Sequence, residues 1–88
     1  MVTAENVAAF MAQRLEEEKG MLIQARIADE ISKKFGGEFL YPNENDNLAI
    51  DKEVLEIFRD YTPHVVWSRG DHLWRNRKPS DPDGRAVD

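Results

Sequence analysis

Apolar residues recur at helical spacing in three segments of the chain. These segments predict helices over about residues 4–19, 24–35 and 52–61, with Thr3 and Asp51 as N-caps. The hydrophobic stripes of the three helices are, in chain order, Val7, Phe10, Met11 and Leu15, then Ile27, Ala28, Ile31 and Phe35, then Val54, Leu55, Phe58 and Tyr61. Each stripe gives its helix one face to bury against a common core.

Short apolar runs lie between these helices. Residues 21–23 follow Gly20, which occupies the position of a left-handed helix C-cap. Residues 39–41 and 48–50 flank a segment rich in Pro, Asn and Asp, a composition typical of a loose hairpin or an extended loop.

The last two apolar runs predict a β-hairpin. Residues 65–68 and 73–76 flank a turn that contains Gly70, and a glycine can take a positive φ angle there. Because side chains alternate between the two faces of a strand, we expect Trp67 on the core side. Trp74 is expected on the face of its strand opposite Arg75 and Arg77, where it could stack on a partner side chain.

The order of elements predicts an α+β fold of three helices with a C-terminal β-hairpin, in a winged-helix-like arrangement. The extended pair between helices two and three departs from that arrangement, which normally has a tight turn there. The alternative is a small α+β domain with both hairpins in one antiparallel sheet. We expect a single domain over residues 1–78 and a flexible C-terminal tail over residues 79–88, which has few large apolar side chains.

Charge is distributed unevenly in this 88-residue chain of net charge −5. Residues 1–63 carry net −6, residues 64–78 carry net +3 and residues 79–88 carry net −2. The chain has no cysteine, no apolar run long enough to span a membrane and no signal-peptide pattern, so we expect a cytoplasmic protein without membrane contact. The basic hairpin is a local exception on an acidic protein.

That hairpin contains the residues we expect to contact a partner, which are Arg69, Trp74, Arg75 and Arg77. Arginine pairs well with carboxylates, and tryptophan is frequent in protein interfaces. The acidic surroundings favour a protein partner or a homodimer. The alternative is nucleic-acid binding through the basic hairpin, but helix three carries more acidic than basic side chains, which weakens attraction to phosphates.

No pattern of residues indicates catalysis, and we expect no enzyme activity, no cofactor and no metal site. A possible calcium loop beginning at Asn43 has Leu48 where the motif needs glycine and Val54 where it needs glutamate. His64 and His72 are the only histidines, and zinc catalysis usually needs three protein ligands.

Three strings, FGGEFLYPNENDNLAI, VLEIFRDYTPHVVW and LWRNR, carry a resemblance over about residues 7–85. They resemble a family of short standalone bacterial proteins of unknown function, and they are also similar to products of integron gene cassettes. The resemblance implies a bacterial origin. It implies no substrate, cofactor or catalytic residue.

Overall fold

A computed structural model of the chain describes residues 1–42, 48–81, 84 and 86–87. The helices are α1 (Ala4–Glu17), α2 (Gln24–Phe35) and α3 (Lys52–Tyr61). The strands are β1 (Met21–Ile23), β2 (Leu40–Pro42), β3 (Leu48–Ile50), β4 (Val65–Ser68), β5 (Leu73–Asn76) and β6 (Ala86–Val87). The predicted α+β fold, with three helices and a C-terminal hairpin, is confirmed. Residues 43–47 of the possible calcium loop, which would span residues 43–54, lie outside the described residues.

The end of α1 is set by two residues with left-handed backbone angles. Lys19 has φ 58° and Gly20 has φ 86°. The Gly20 amide donates to the Leu15 carbonyl at 2.8 Å, which satisfies one of the last carbonyls of the helix. α1 therefore ends at Glu17, two residues before the predicted end.

The two predicted N-caps are confirmed. The Thr3 hydroxyl accepts a hydrogen bond from the Asn6 amide, and the Asn6 side chain accepts one from the Thr3 amide, both at 3.1 Å. Together they form a capping box. The Asp51 carboxylate accepts from the Glu53 amide at 2.8 Å and fixes the start of α3.

The main sheet has the strand order β1-β5-β4-β6. β1 and β4 are antiparallel to β5, and β6 is parallel to β4. Among the described residues, β2 and β3 pair only with each other, in a separate two-stranded sheet. The alternative with both hairpins in one sheet is therefore wrong. The physical reason is that β1 and β6 already pair with the two sides of the C-terminal hairpin.

The core lies between the helices and one face of the main sheet. α1 packs chiefly against α3, and Trp74 of β5 closes the core with its ring against Phe58. The residues with the largest fully buried side chains include Met11, Leu15, Ile27, Ile31, Ile50 and Phe58. Tyr61, expected in the stripe of α3, is 44% exposed, and its hydroxyl donates to Glu5.

The chain after Lys78 contacts the sheet where it is described. Asp81 forms an ion pair with Arg75, and Ala86 lies opposite Trp67 in the parallel pairing of β6 with β4. The boundary between a domain at 1–78 and a flexible tail at 79–88 stays a prediction.

Candidate functional site

The register of the C-terminal hairpin puts both tryptophans on one face of the sheet. Trp67 and Trp74 are directly opposite each other in the antiparallel pairing, and such residues share a face. Their ring centroids are 4.7 Å apart. Trp74 is only 6% exposed, so it is buried within its own chain, while Trp67 is half-buried. The chain itself buries the ring that we expected a partner to cover.

Arg75 lies on the outer face of the sheet and is held by Asp81. Its two terminal nitrogens donate to the two carboxylate oxygens at 2.9 and 3.0 Å. Hydrogen bonds from Arg75 and from the Lys78 amide hold the pKa of Asp81 well below its usual range. The same pair raises the pKa of Arg75 above its ordinary value. Arg75 is thus committed to a contact within the chain.

The other two predicted contact arginines are exposed. Arg77 follows β5 and donates to the Gly84 carbonyl. Arg69 lies in the turn between β4 and β5. In that turn His72 has a positive φ of 53°, and its ring contacts Trp67 edge-on at 6.0 Å between centroids.

A groove of about 420 Å³ lies beside the tryptophan pair. Helix α3 forms one wall, the β2–β3 hairpin another, and the tryptophan pair lies at its base. The lining residues are Gln24, Tyr41, Ala49, Ile50, Lys52, Leu55, Glu56, Arg59, Trp67, Trp74 and Ala86. Most of this lining is apolar or aromatic, which is typical of surfaces that bind apolar groups.

Helix α3 gives the groove a charged rim. Lys52, Leu55, Glu56 and Arg59 follow the spacing of one helical face, so all four line the groove together. Lys52 and Arg59 have no ion pair with any other residue that the structure describes. The rim therefore offers two cations and one carboxylate to a ligand.

A second apolar area lies on the outer face of the sheet, next to the free edge of β1. Met21 is 51% exposed and Ile23 is 41% exposed. The depression beside them measures about 230 Å³, and its lining includes Arg14, Glu18 and Arg26. These side chains are tied to one another or to α2 by ion pairs, so this depression offers a ligand fewer unpaired groups than the groove.

Among the described residues, no group of three or more His, Asp or Glu side chains is placed to hold a metal ion. His64 directly precedes β4 and His72 lies in the turn between β4 and β5, and both residues are exposed. Within the same part of the chain, no helix has the length and apolar character to cross a membrane.

Sequence reasoning missed the groove because its walls come from separate elements. Tyr41 and Ala49 face Trp67 only after the β2–β3 hairpin folds beside α3. One signal was present: Lys52, Leu55 and Arg59 share a side of α3 that is distinct from the buried positions Val54 and Phe58.

Comparison with known proteins places the chain in a family without giving it an activity. No curated protein and no solved structure shows a significant match to it. Residues 3–76 match a family of unknown function, DUF6953. The matched residues contain the helices α1 to α3 and the strands β1 to β5. The resemblance to a family of unknown function is thereby confirmed, and the chain belongs to this family.

Proposed function

We propose that this protein is a non-enzymatic interaction module that binds a protein partner through the groove between α3, the β2–β3 hairpin and the tryptophan pair. The observation that carries the proposal is the position of Trp67. This large aromatic residue lies on the core face of the sheet and yet stays half-buried, at the base of an apolar groove. A partner side chain placed in the groove would complete its burial.

The size and lining of the groove support this function. A volume of about 420 Å³ has room for one or two large side chains. Binding energy in protein interfaces concentrates where aromatic and aliphatic anchors fill such pockets, with a polar rim around them. We therefore place the main contact on Tyr41, Leu55 and Trp67, with Arg69 and Arg77 of the hairpin as outer contacts.

Two competing functions follow from the same surfaces. A second copy of the chain could supply the anchor, which would make the protein a homodimer. Nucleic acid could bind the exposed arginines of the hairpin, but the exposed residues of α3 include Glu53, Glu56 and Asp60 beside Lys52 and Arg59. Glu53 and Asp60, which do not line the groove, give the helix as a whole an acidic excess that disfavours contact with a phosphate backbone. The bacterial origin, the link to integron cassettes and the cytoplasmic location stay predictions.

The two tryptophans make the proposal testable with unlabelled protein. Both line the groove and the chain has no others, so intrinsic fluorescence reports whether the groove is occupied. The probe is the capped heptapeptide Ser-Gln-Ser-Phe-Ser-Gln-Ser, which carries one apolar anchor and no charge. We expect a saturable change in emission at low-millimolar peptide or below.

Matched tyrosine variants show whether the change arises at the groove. Tyr41 lines the groove and is 50% exposed, whereas Tyr61 lies outside it and is 44% exposed. Tyr41→Ser should weaken peptide binding several-fold, and Tyr61→Ser should leave it unchanged. Equal effects of the two variants, or no response of the wild-type protein to the peptide, would contradict the proposal.

Sedimentation and a nucleic-acid titration separate the competing functions. A protein that dimerises through the groove should sediment as a dimer at high micromolar concentration and become monomeric on Tyr41→Ser. Salt-dependent binding of single-stranded DNA or RNA, abolished by Arg69→Gln and Arg77→Gln, would favour the nucleic-acid function instead.

A further inference from the structure

We infer that the groove selects a partner segment whose apolar anchor lies between acidic residues. The inference rests on the proposed function and adds the chemical class of the partner. It comes from the charges that α3 places around the groove, rather than from the apolar floor.

Lys52 and Arg59 stand at the two ends of the groove face of α3. They are seven residues apart, which is two helical turns or about 10.5 Å along the axis. Both side chains line the groove, and both residues are exposed. The anchor of a bound segment would therefore have a cation on either side.

Lys52 and Arg59 differ from the four basic residues that form ion pairs in the described part of the chain. Arg14 pairs with Glu17 and Glu30, Arg26 with Glu18, and Lys33 with Asp29. Lys52 and Arg59 pair with no described carboxylate, although the protein carries an excess of acidic residues. Their charge is available to a partner.

Glu56 lies on the same face of α3, between Lys52 and Arg59. Its negative charge offsets part of their positive charge. It forms no ion pair with either one, and it leaves the groove face of α3 at net +1. This single carboxylate gives the inference a sharp test, because removing it should strengthen binding of an acidic segment while removing either cation should weaken it.

The length of an extended peptide matches this arrangement. Residues two positions before and after an anchor project to the same side as the anchor, and their Cα atoms are about 13 Å apart. Lys52 and Arg59 are about 10.5 Å apart along the axis of α3, slightly less than this peptide distance. Their long side chains can span the difference. The expected segment therefore has the pattern acidic-x-apolar-x-acidic.

The experiment compares three capped peptides by the tryptophan emission of the full chain at low salt. They are Ser-Glu-Ser-Phe-Ser-Glu-Ser, its glutamine form and its lysine form. Because exposed ion pairs are weak, we expect the glutamate peptide to bind roughly fivefold more tightly than the glutamine peptide. The lysine peptide should bind most weakly, and the differences should shrink at high salt.

Variants of the rim assign the charge effect to α3. Lys52→Gln and Arg59→Gln should each weaken binding of the glutamate peptide about twofold, and Glu56→Gln should tighten it by a similar factor. Lys33→Gln makes the same charge change on α2, away from the groove, and should have little effect. All four positions are exposed, so the variants should fold.

The outcomes distinguish this inference from the proposed function. Equal affinity for the three peptides would overturn the acidic selectivity and leave the apolar groove as a binding site. Tightest binding of the lysine peptide would also overturn it. No response to any of the three peptides would overturn both proposals.

Discussion

The Trp67 ring packs against the Trp74 ring across β4 and β5, with 4.7 Å between centroids and 52° between the ring planes. Trp74 in turn contacts Phe58 of α3 edge-on at 5.4 Å. The three rings form a continuous aromatic column from the core to the groove. We therefore assign Trp74 a role in stabilising the fold and Trp67 a role in binding at the groove.

These two roles predict that Trp74→Ala and Trp67→Ala lower the free energy of unfolding by different amounts. Trp74→Ala should lower the free energy of unfolding by about 3–5 kcal/mol, because it leaves a cavity against Phe58. Trp67→Ala should cost roughly 1–2 kcal/mol, since its ring is already partly in water. Urea unfolding followed by circular dichroism measures both, and Trp74→Phe serves as a milder variant if Trp74→Ala does not fold. Equal costs would contradict the assignment.

Gly20 is a second position where the structure predicts a specific cost. Its φ is +86°, and a Cβ placed on it would clash with the side-chain amide of Asn76. Gly20→Ala should therefore destabilise the protein by more than about 1 kcal/mol, from backbone strain and from the displaced Asn76 side chain.

A double variant separates these two causes. Adding Asn76→Ala to Gly20→Ala should recover the steric part of the loss and leave the backbone strain. Gly37→Ala is the control, since a Cβ there has no heavy atom within 4 Å. The assignment fails if Gly20→Ala is as well tolerated as Gly37→Ala in urea unfolding.

The ion pair between Arg75 and Asp81 predicts a stability that depends on pH. Hydrogen bonds from Arg75 lower the pKa of Asp81 in the folded protein, so the pair stabilises the fold above the unfolded-state pKa of about 3.9. That contribution to stability is lost as the pH falls through the lower pKa that Asp81 has in the folded protein. Wild-type protein should be more stable than Asp81→Asn at pH 7, and the difference should shrink below about pH 4.

Urea midpoints measured from pH 7 to about pH 2 check this dependence. Asp29→Asn makes the same chemical change in an exposed i,i+4 pair of α2, and should cost only about 0.2–0.5 kcal/mol at neutral pH. If the difference in urea midpoint between wild type and Asp81→Asn stays constant down to the lowest pH, the charge of the Asp81 carboxylate does not contribute to stability.

The helices could be predicted from the sequence because their signals are local. The bounds of α2 and α3 agree with those predicted from the apolar stripes, and Thr3 and Asp51 cap as expected. The early end of α1 was missed because Lys19 adopts a left-handed backbone conformation, which a lysine in the sequence does not predict.

The faces of the hairpin could not be predicted, because they depend on register. The turn leaves Ser68 opposite Leu73, and this places Trp67 opposite Trp74. The contact site at Arg69, Trp74, Arg75 and Arg77 stays a prediction, although the chain itself buries Trp74. The groove needed long-range information as well, since Tyr41, Leu55 and Trp67 come from three elements that meet only in the folded chain.

The indole N–H resonances of the two tryptophans give the most direct test of the central claim, that the groove at Trp67 is the binding face. In a heteronuclear NMR titration with Ser-Glu-Ser-Phe-Ser-Glu-Ser, we expect the shifts to concentrate on the Trp67 indole and on the amides of Tyr41 and Leu55. Shifts concentrated instead on Met21 and Ile23, the exposed apolar residues on the other face of the sheet, would contradict it.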